Sequence, residues 1–208
     1  MKTVAIVLFD EVEVLDFAAP LEVFGVSGGA RPLYRVLTVA EHAAPVFARN
    51  RLSVNPACDF ASMPPAHVLV IPGGYGTRRE KTNPVMLDFI RTRAAAAELV
   101  ISICSGALLL AKAGLLAGRH ATTHQCALAE LARDEPACTV LPAARVVDNG
   151  KFILSAGVST GIEASLYAVA RQHGKAVAAA TADYMEYDWH HRRVDGDRIV
   201  RTMAALSP

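Results

Sequence analysis

Residues 99–118 read LVISICSGALLLAKAGLLAG. Leu99–Ile103 is an apolar, β-prone run that leads directly into Cys104-Ser105-Gly106 and then into a helical ALLLAKAGLLAG stretch. A strand of this kind is buried on both faces, as in parallel sheets covered by helices on each side. The sharp strand-to-helix turn is the setting of a nucleophile elbow, with Ser102–Gly106 supplying S-x-C-x-G in place of G-x-S-x-G. Such a turn displays its central side chain at the carboxyl end of the sheet, where open α/β proteins place their ligands. The helix start behind Cys104 is expected to favour thiolate through its unpaired N–H groups and positive dipole end.

The same alternation extends in both directions. Thr3–Phe9, Tyr34–Val39 and Val68–Ile71 read as strands, and Val14–Gly25 as a helix. Val46–Asn55 reads as a hairpin or edge segment. Asn83-Pro84 opens a helix to about Glu98, with Asn83 as N-cap and Pro84 in the first turn. Beyond the elbow come a polar stretch at His120–His124, a helix near Cys126–Asp134, and strands at Ala144–Val147 and Phe152–Ser155. Helices over Thr160–His173 and from Lys175 to about Tyr187 follow, with a short amphipathic helix expected near Arg198–Leu206. This order predicts a single domain over residues 1–208, an α/β fold with a doubly wound, mainly parallel sheet flanked by helices.

Composition narrows the function. Of the 208 residues, 52% are hydrophobic and 20% charged, which excludes a disordered or fibrous chain. Lys and Arg number 21 against 20 Asp and Glu and are scattered, so no nucleic-acid partner is expected. No apolar run reaches the ~18 residues of a membrane span, and the N-terminus lacks the pattern of a secretory signal. Four cysteines, Cys58, Cys104, Cys126 and Cys138, are too few for a disulfide scaffold and match no zinc spacing. A reducing cytoplasm is the expected setting, and the question becomes which thiol reacts.

Cys104 is the candidate nucleophile. The amides of Gly73 and Gly74, in the Pro72-Gly73-Gly74 turn after a strand, could form an oxyanion hole with the Ser105 amide. Asp16 interrupts an apolar stretch, where a carboxyl must be protonated or hydrogen-bonded; it serves either as the proton partner of the thiol or as a helix N-cap. The residue after Cys104 is Ser105, not His, and none of the seven histidines sits in an H-x-E arrangement, leaving His124 as the best remaining imidazole, in a direct or a structural role. Glu11, Glu13 and Glu22 read as exposed acids. Asp188, His190 and His191 are a poor metal set, because adjacent histidines seldom point the same way, and no metal is expected.

Four segments together carry a resemblance. Asp16–Phe24, Ile71–Arg78, Ile101–His124 and Gly157–Leu166 resemble the ThiJ/PfpI superfamily, over about residues 3–188. The resemblance implies a class I glutamine amidotransferase-like sandwich, commonly homodimeric. It is nearest to the isonitrile hydratase branch and to the sensor domains of AraC-type regulators, which share Asp at position 16 and the elbow pattern. Protease and glyoxalase branches place His after the nucleophile, where this chain has Ser105. Ser105 also stands where the hydratases have Thr, keeping the hydroxyl and losing a methyl. The implied chemistry is hydration of a small-molecule isonitrile to an N-substituted formamide. Cys104 would attack, Asp16 would move protons, Ser105 with Gly73 and Gly74 would orient the intermediate, and no cofactor would be needed. A ligand- or redox-sensing domain, or thiol-based stress protection, is the alternative. Within these 208 residues no helix-turn-helix module like that of the regulators is expected.

Overall fold

The structure, a computed structural model, describes residues 1–189. His190, His191 and the expected helix near 198–206 lie outside the described residues.

In chain order the elements are β1 (Lys2–Val7), α1 (Val14–Val26), β2 (Tyr34–Ala40), β3 (Val46–Phe47), β4 (Ser53–Val54), β5 (Cys58–Asp59) and β6 (Val68–Ile71). Then come α2 (Thr77–Glu80), α3 (Pro84–Ala96), β7 (Leu99–Ile103), α4 (Gly106–Lys112), β8 (His120–Ala121), α5 (Leu128–Asp134) and β9 (Thr139–Val140). β10 (Val146–Asp148), β11 (Phe152–Ser155), α6 (Thr160–His173) and α7 (Lys175–Tyr184) complete the set.

The central sheet has the order β10-β11-β7-β6-β1-β2-β5. Every neighbouring pair is parallel except β10 with β11, an antiparallel edge closed through Asn149-Gly150. Helices α1, α6 and α7 pack together on one face, and α2, α3, α4 and α5 on the other. All of β6 and β7 is buried, as expected of strands covered on both sides. The chain winds from β1 out to β2 and β5, then returns to β6 on the opposite side of β1. The crevice at the carboxyl ends of β1 and β6 is therefore the topological switch point where such sheets bind ligands.

Local signals account for most boundaries. The Asn83 side chain accepts from Val85 N and Met86 N, with Pro84 in the first turn, so α3 starts where the cap requires. The expected helix over ALLLAKAGLLAG stops early, at Lys112. Gly114 takes a left-handed φ of 74°, and Leu115 N–H closes back on the Leu110 carbonyl at 3.0 Å in a Schellman-type end. Two-residue strands β5, β8 and β9 and the single turn of α2 carry no readable periodicity and stand as additions to the sequence reading. The hairpin expected over Val46–Asn55 is present as β3 and β4.

Candidate active site

The site is assembled from segments that follow three adjacent strands. Asp16 lies in the first turn of α1, after β1; Gly73 and Gly74 follow β6; Cys104 and Ser105 follow β7.

Cys104 adopts φ +56°, a left-handed conformation that costs an L-residue roughly 1–2 kcal/mol and survives only where its surroundings enforce it. They do so from several sides. Cys104 N–H donates to the Ser155 carbonyl of β11 at 3.1 Å. The Thr123 hydroxyl donates to the Cys104 carbonyl at 2.7 Å. Gly157 passes so close that a Cβ there would lie 2.3 Å from the Cys104 Cβ. Thr123 and Gly157 escaped the sequence reading as parts of the site. The HATTH run, which holds Thr123, was the signal available for the first.

Asp16 is fully buried and its Oδ2 accepts from Gly73 N–H at 3.0 Å. Glu13, not Asp16, occupies the N-cap of α1, so Asp16 is not a cap. Its Oδ1 has no hydrogen-bond partner, and the carboxyl faces the Cys104 thiol, a weak donor. Burial pushes the Asp16 carboxyl up to about 7, against the opposing pull of the Gly73 amide and the thiol. Burial likewise pushes the Cys104 thiol up to about 12, reinforced by the neighbouring Asp16 charge and only partly offset by the Ser105 N–H. The expectation that the helix start would favour thiolate is thus reversed: desolvation and a like charge outweigh the amide. Cys104 therefore rests as a thiol, and the group held near neutrality is the carboxyl beside it.

The two glycine amides are committed inside the protein. Gly73 N–H holds Asp16, and Gly74 N–H donates to Ser105 Oγ at 3.0 Å. The expected oxyanion hole would have to draw on donors already in use, since the two amides here orient the carboxyl and the hydroxyl. Ser105 Oγ is further tied to the Gly74 carbonyl at 3.1 Å, and Thr77 Oγ1 stands 3.1 Å away while donating to that carbonyl at 2.7 Å. A Cβ on Gly73 would approach Ser105 N to 2.5 Å, so only glycine lets the two turns come this near.

Above the thiol lies a cavity of about 170 Å³, lined by residues that include Glu13, Arg49, Tyr75, Arg78, Cys104 and His124. His124 shares this wall, and its Nδ1 accepts Cys126 N–H at 3.3 Å, which places the proton of the neutral tautomer on Nε2. Cys126 also borders the cavity, whereas Cys58 and Cys138 do not. Glu11 is exposed and makes an ion pair with Arg79 at 3.5 Å. Among the described residues no cluster of His, Cys, Asp and Glu could hold a metal ion. Among them also, no helix is long and apolar enough to cross a membrane.

Comparison with known proteins agrees with this architecture. Residues 2–171 match the DJ-1/PfpI family. Isonitrile hydratase of Pseudomonas putida is 34% identical over 164 residues, covering 78% of this chain and 68% of that protein. The transcriptional regulator GbdR of Pseudomonas aeruginosa is 24% identical over 95% of this chain, which spans only 54% of the regulator's length. A ThiJ/PfpI family protein from Pseudomonas syringae superposes with a TM-score of 0.82 at 30% identity, covering 94% of this chain and 79% of that one. Drosophila melanogaster DJ-1beta, 21% identical, superposes with a TM-score of 0.80 over 90% of this chain and 99% of its own, a likeness of fold.

Proposed function

The chain belongs to the DJ-1/PfpI family, and from that premise we propose that it is a cysteine-dependent hydratase that converts a small-molecule isonitrile into an N-substituted formamide. One observation carries the reading: a fully buried carboxyl, anchored through one oxygen by Gly73 and unpartnered at the other, faces the thiol of a strained elbow cysteine. The 34% identity to an isonitrile hydratase supports it.

Chemistry follows from the protonation states. With the thiol high and the carboxyl near 7, Asp16 is poised both to take and to give a proton at neutral pH. Cys104 Sγ bonds to the terminal isonitrile carbon as Asp16 accepts the thiol proton and delivers it to that carbon, giving a thioimidate. Water then adds to the same carbon, with Asp16 taking its proton and the nitrogen becoming protonated. The C–S bond breaks, the formamide leaves, and Cys104 regains its proton. Ser105, held by Gly74 and Thr77, keeps the elbow and the carboxyl turn in register through both steps. In this reading the substrate is a small molecule and the working form a homodimer in the cytoplasm, with Asp16 and Cys104 supplying the proton transfers and the nucleophile.

The assay is loss of cyclohexyl isonitrile with appearance of its formamide. Wild type should turn over and Cys104→Ala should not. Failure of wild type across alkyl and aryl isonitriles would remove the hydratase reading. It would favour a ligand- or redox-sensing domain, the second reading, which the match to a regulator over 95% of this chain supports.

A further inference from the structure

Two guanidinium groups border the cavity above Cys104, and they differ in what already occupies them. Arg78 is committed: Nη2 and Nε lie 2.9 and 3.1 Å from Glu130 Oε2, and Nη1 reaches Thr77 Oγ1 at 3.3 Å. Arg49 is not. Its nearest carboxylate, Glu13, stands 4.0 Å from Nε, beyond hydrogen-bond length, and no other side chain among the described residues takes its donors.

Arg49 is nonetheless held in place. Its backbone N–H donates to the Val12 carbonyl at 2.8 Å, and its guanidinium lies 4.0 Å from the centroid of the Tyr75 ring. The next two residues, Asn50 and Arg51, both take left-handed φ angles of 58° and 64°. Strain of this kind in ordinary residues persists where the surroundings over-determine it, and it is concentrated beside functional sites. The result is a preorganised, planar fork whose donors no side chain among the described residues takes at hydrogen-bond length, on the wall of the cavity that Cys104 borders. Carboxylate and phosphate both match such a fork bidentately, and the carboxylate is the smaller of the two.

We infer that Arg49 is a specificity residue that makes this cavity receive small molecules carrying a carboxylate. Resting on the hydratase reading above, this names the substrate class as isonitriles with an acidic tail. The isonitrile carbon meets Cys104 and the carboxylate meets Arg49 in place of the loose contact with Glu13.

The test does not depend on turnover. Cys104 is alkylated by iodoacetate, iodoacetamide and 2-bromoethylamine, which are anionic, neutral and cationic, and its modification is followed by peptide mass spectrometry in wild type, Arg49→Gln and Arg49→Lys. The iodoacetate-to-iodoacetamide rate ratio at Cys104 should be about tenfold higher in wild type than in Arg49→Gln, the equivalent of ~1.4 kcal/mol, with Arg49→Lys intermediate. An equal ratio in wild type and Arg49→Gln overturns the inference, and so does preferential acceleration of the cation, which would assign the wall to Glu13. Should Arg49→Gln fail to fold, wild type decides alone. Raising NaCl from ~0.05 to ~0.5 M must slow iodoacetate more than iodoacetamide, and equal slowing overturns the inference. Charge-selective alkylation without isonitrile turnover would leave the carboxylate site standing and remove the hydratase reading.

Discussion

The amide of Gly73 donates to Asp16 Oδ2 at 3.0 Å, tying the turn after β6 to the first turn of α1. This bond fixes the carboxyl with its second oxygen free and its face towards Cys104, so the two titrations are linked. An Asp16→Asn variant keeps an acceptor for Gly73 and removes the charge. The Asp16 charge adds to burial in pushing the thiol up to about 12, so its removal should move the Cys104 alkylation profile to lower pH than in wild type. Iodoacetamide rates measured across pH report the shift, and superimposable profiles would mean that the carboxyl does not act on the thiol.

The same carboxyl makes folding stability depend on pH. Its unfolded value is 3.8 and its folded value about 7, so the folded state holds the extra proton between these limits. The stability contributed by protonated Asp16 is fully present below 3.8 and is lost as pH rises to about 7. Asp16→Asn carries no such dependence at this position. Relative to wild type, it should gain on the order of 2–4 kcal/mol in urea unfolding between pH 4 and pH 8. A constant difference across that range would contradict the buried, proton-holding state of Asp16.

Gly157 separates steric support of the elbow from backbone freedom. Its φ is +84° and an added Cβ would lie 2.3 Å from the Cys104 Cβ, whereas Gly174, at φ +93°, has nothing within 4 Å. Gly174→Ala should therefore show the backbone cost alone, about 1–2 kcal/mol, and Gly157→Ala that cost plus overpacking, roughly 2–5 kcal/mol in total. Thermal or urea unfolding of the pair measures the difference. Cys104 alkylation should change only in Gly157→Ala. Equal destabilisation would show that the elbow tolerates displacement.

Much of this architecture was legible in the sequence for physical reasons that can be named. Leu99–Ile103 is apolar throughout because β7 is covered on both faces, and Asn83-Pro84 marks the start of α3 because its cap chemistry is local. Cys104 stood out because a strand, a small residue and a helix follow one another in the chain. What the sequence hid depends on contacts between distant segments. The Gly73 and Gly74 amides were recognisable as donors, but that Asp16 and Ser105 consume them is visible only once β1, β6 and β7 lie side by side. The helix start behind Cys104 favours thiolate locally, but burial, a property of the whole fold, outweighs it. Arg49 comes from a hairpin 55 residues before Cys104, with no pattern linking the two.

Thr123 tests how far the strained φ of Cys104 depends on its carbonyl partner. Its hydroxyl is buried and donates to that carbonyl at 2.7 Å. Thr123→Val conserves the shape and removes the donor, leaving a buried carbonyl with one partner fewer, at an expected cost of about 1–3 kcal/mol. Thr123→Ser keeps the donor and trims a methyl group, for about 1 kcal/mol. The two variants therefore differ in kind. If the hydrogen bond holds the elbow, Cys104 alkylation at fixed pH should change in Thr123→Val and stay near wild type in Thr123→Ser, although both lose stability. Parallel changes in the two variants would assign the support to packing, with Gly157 and the Ser155 carbonyl then sufficient to hold the left-handed turn.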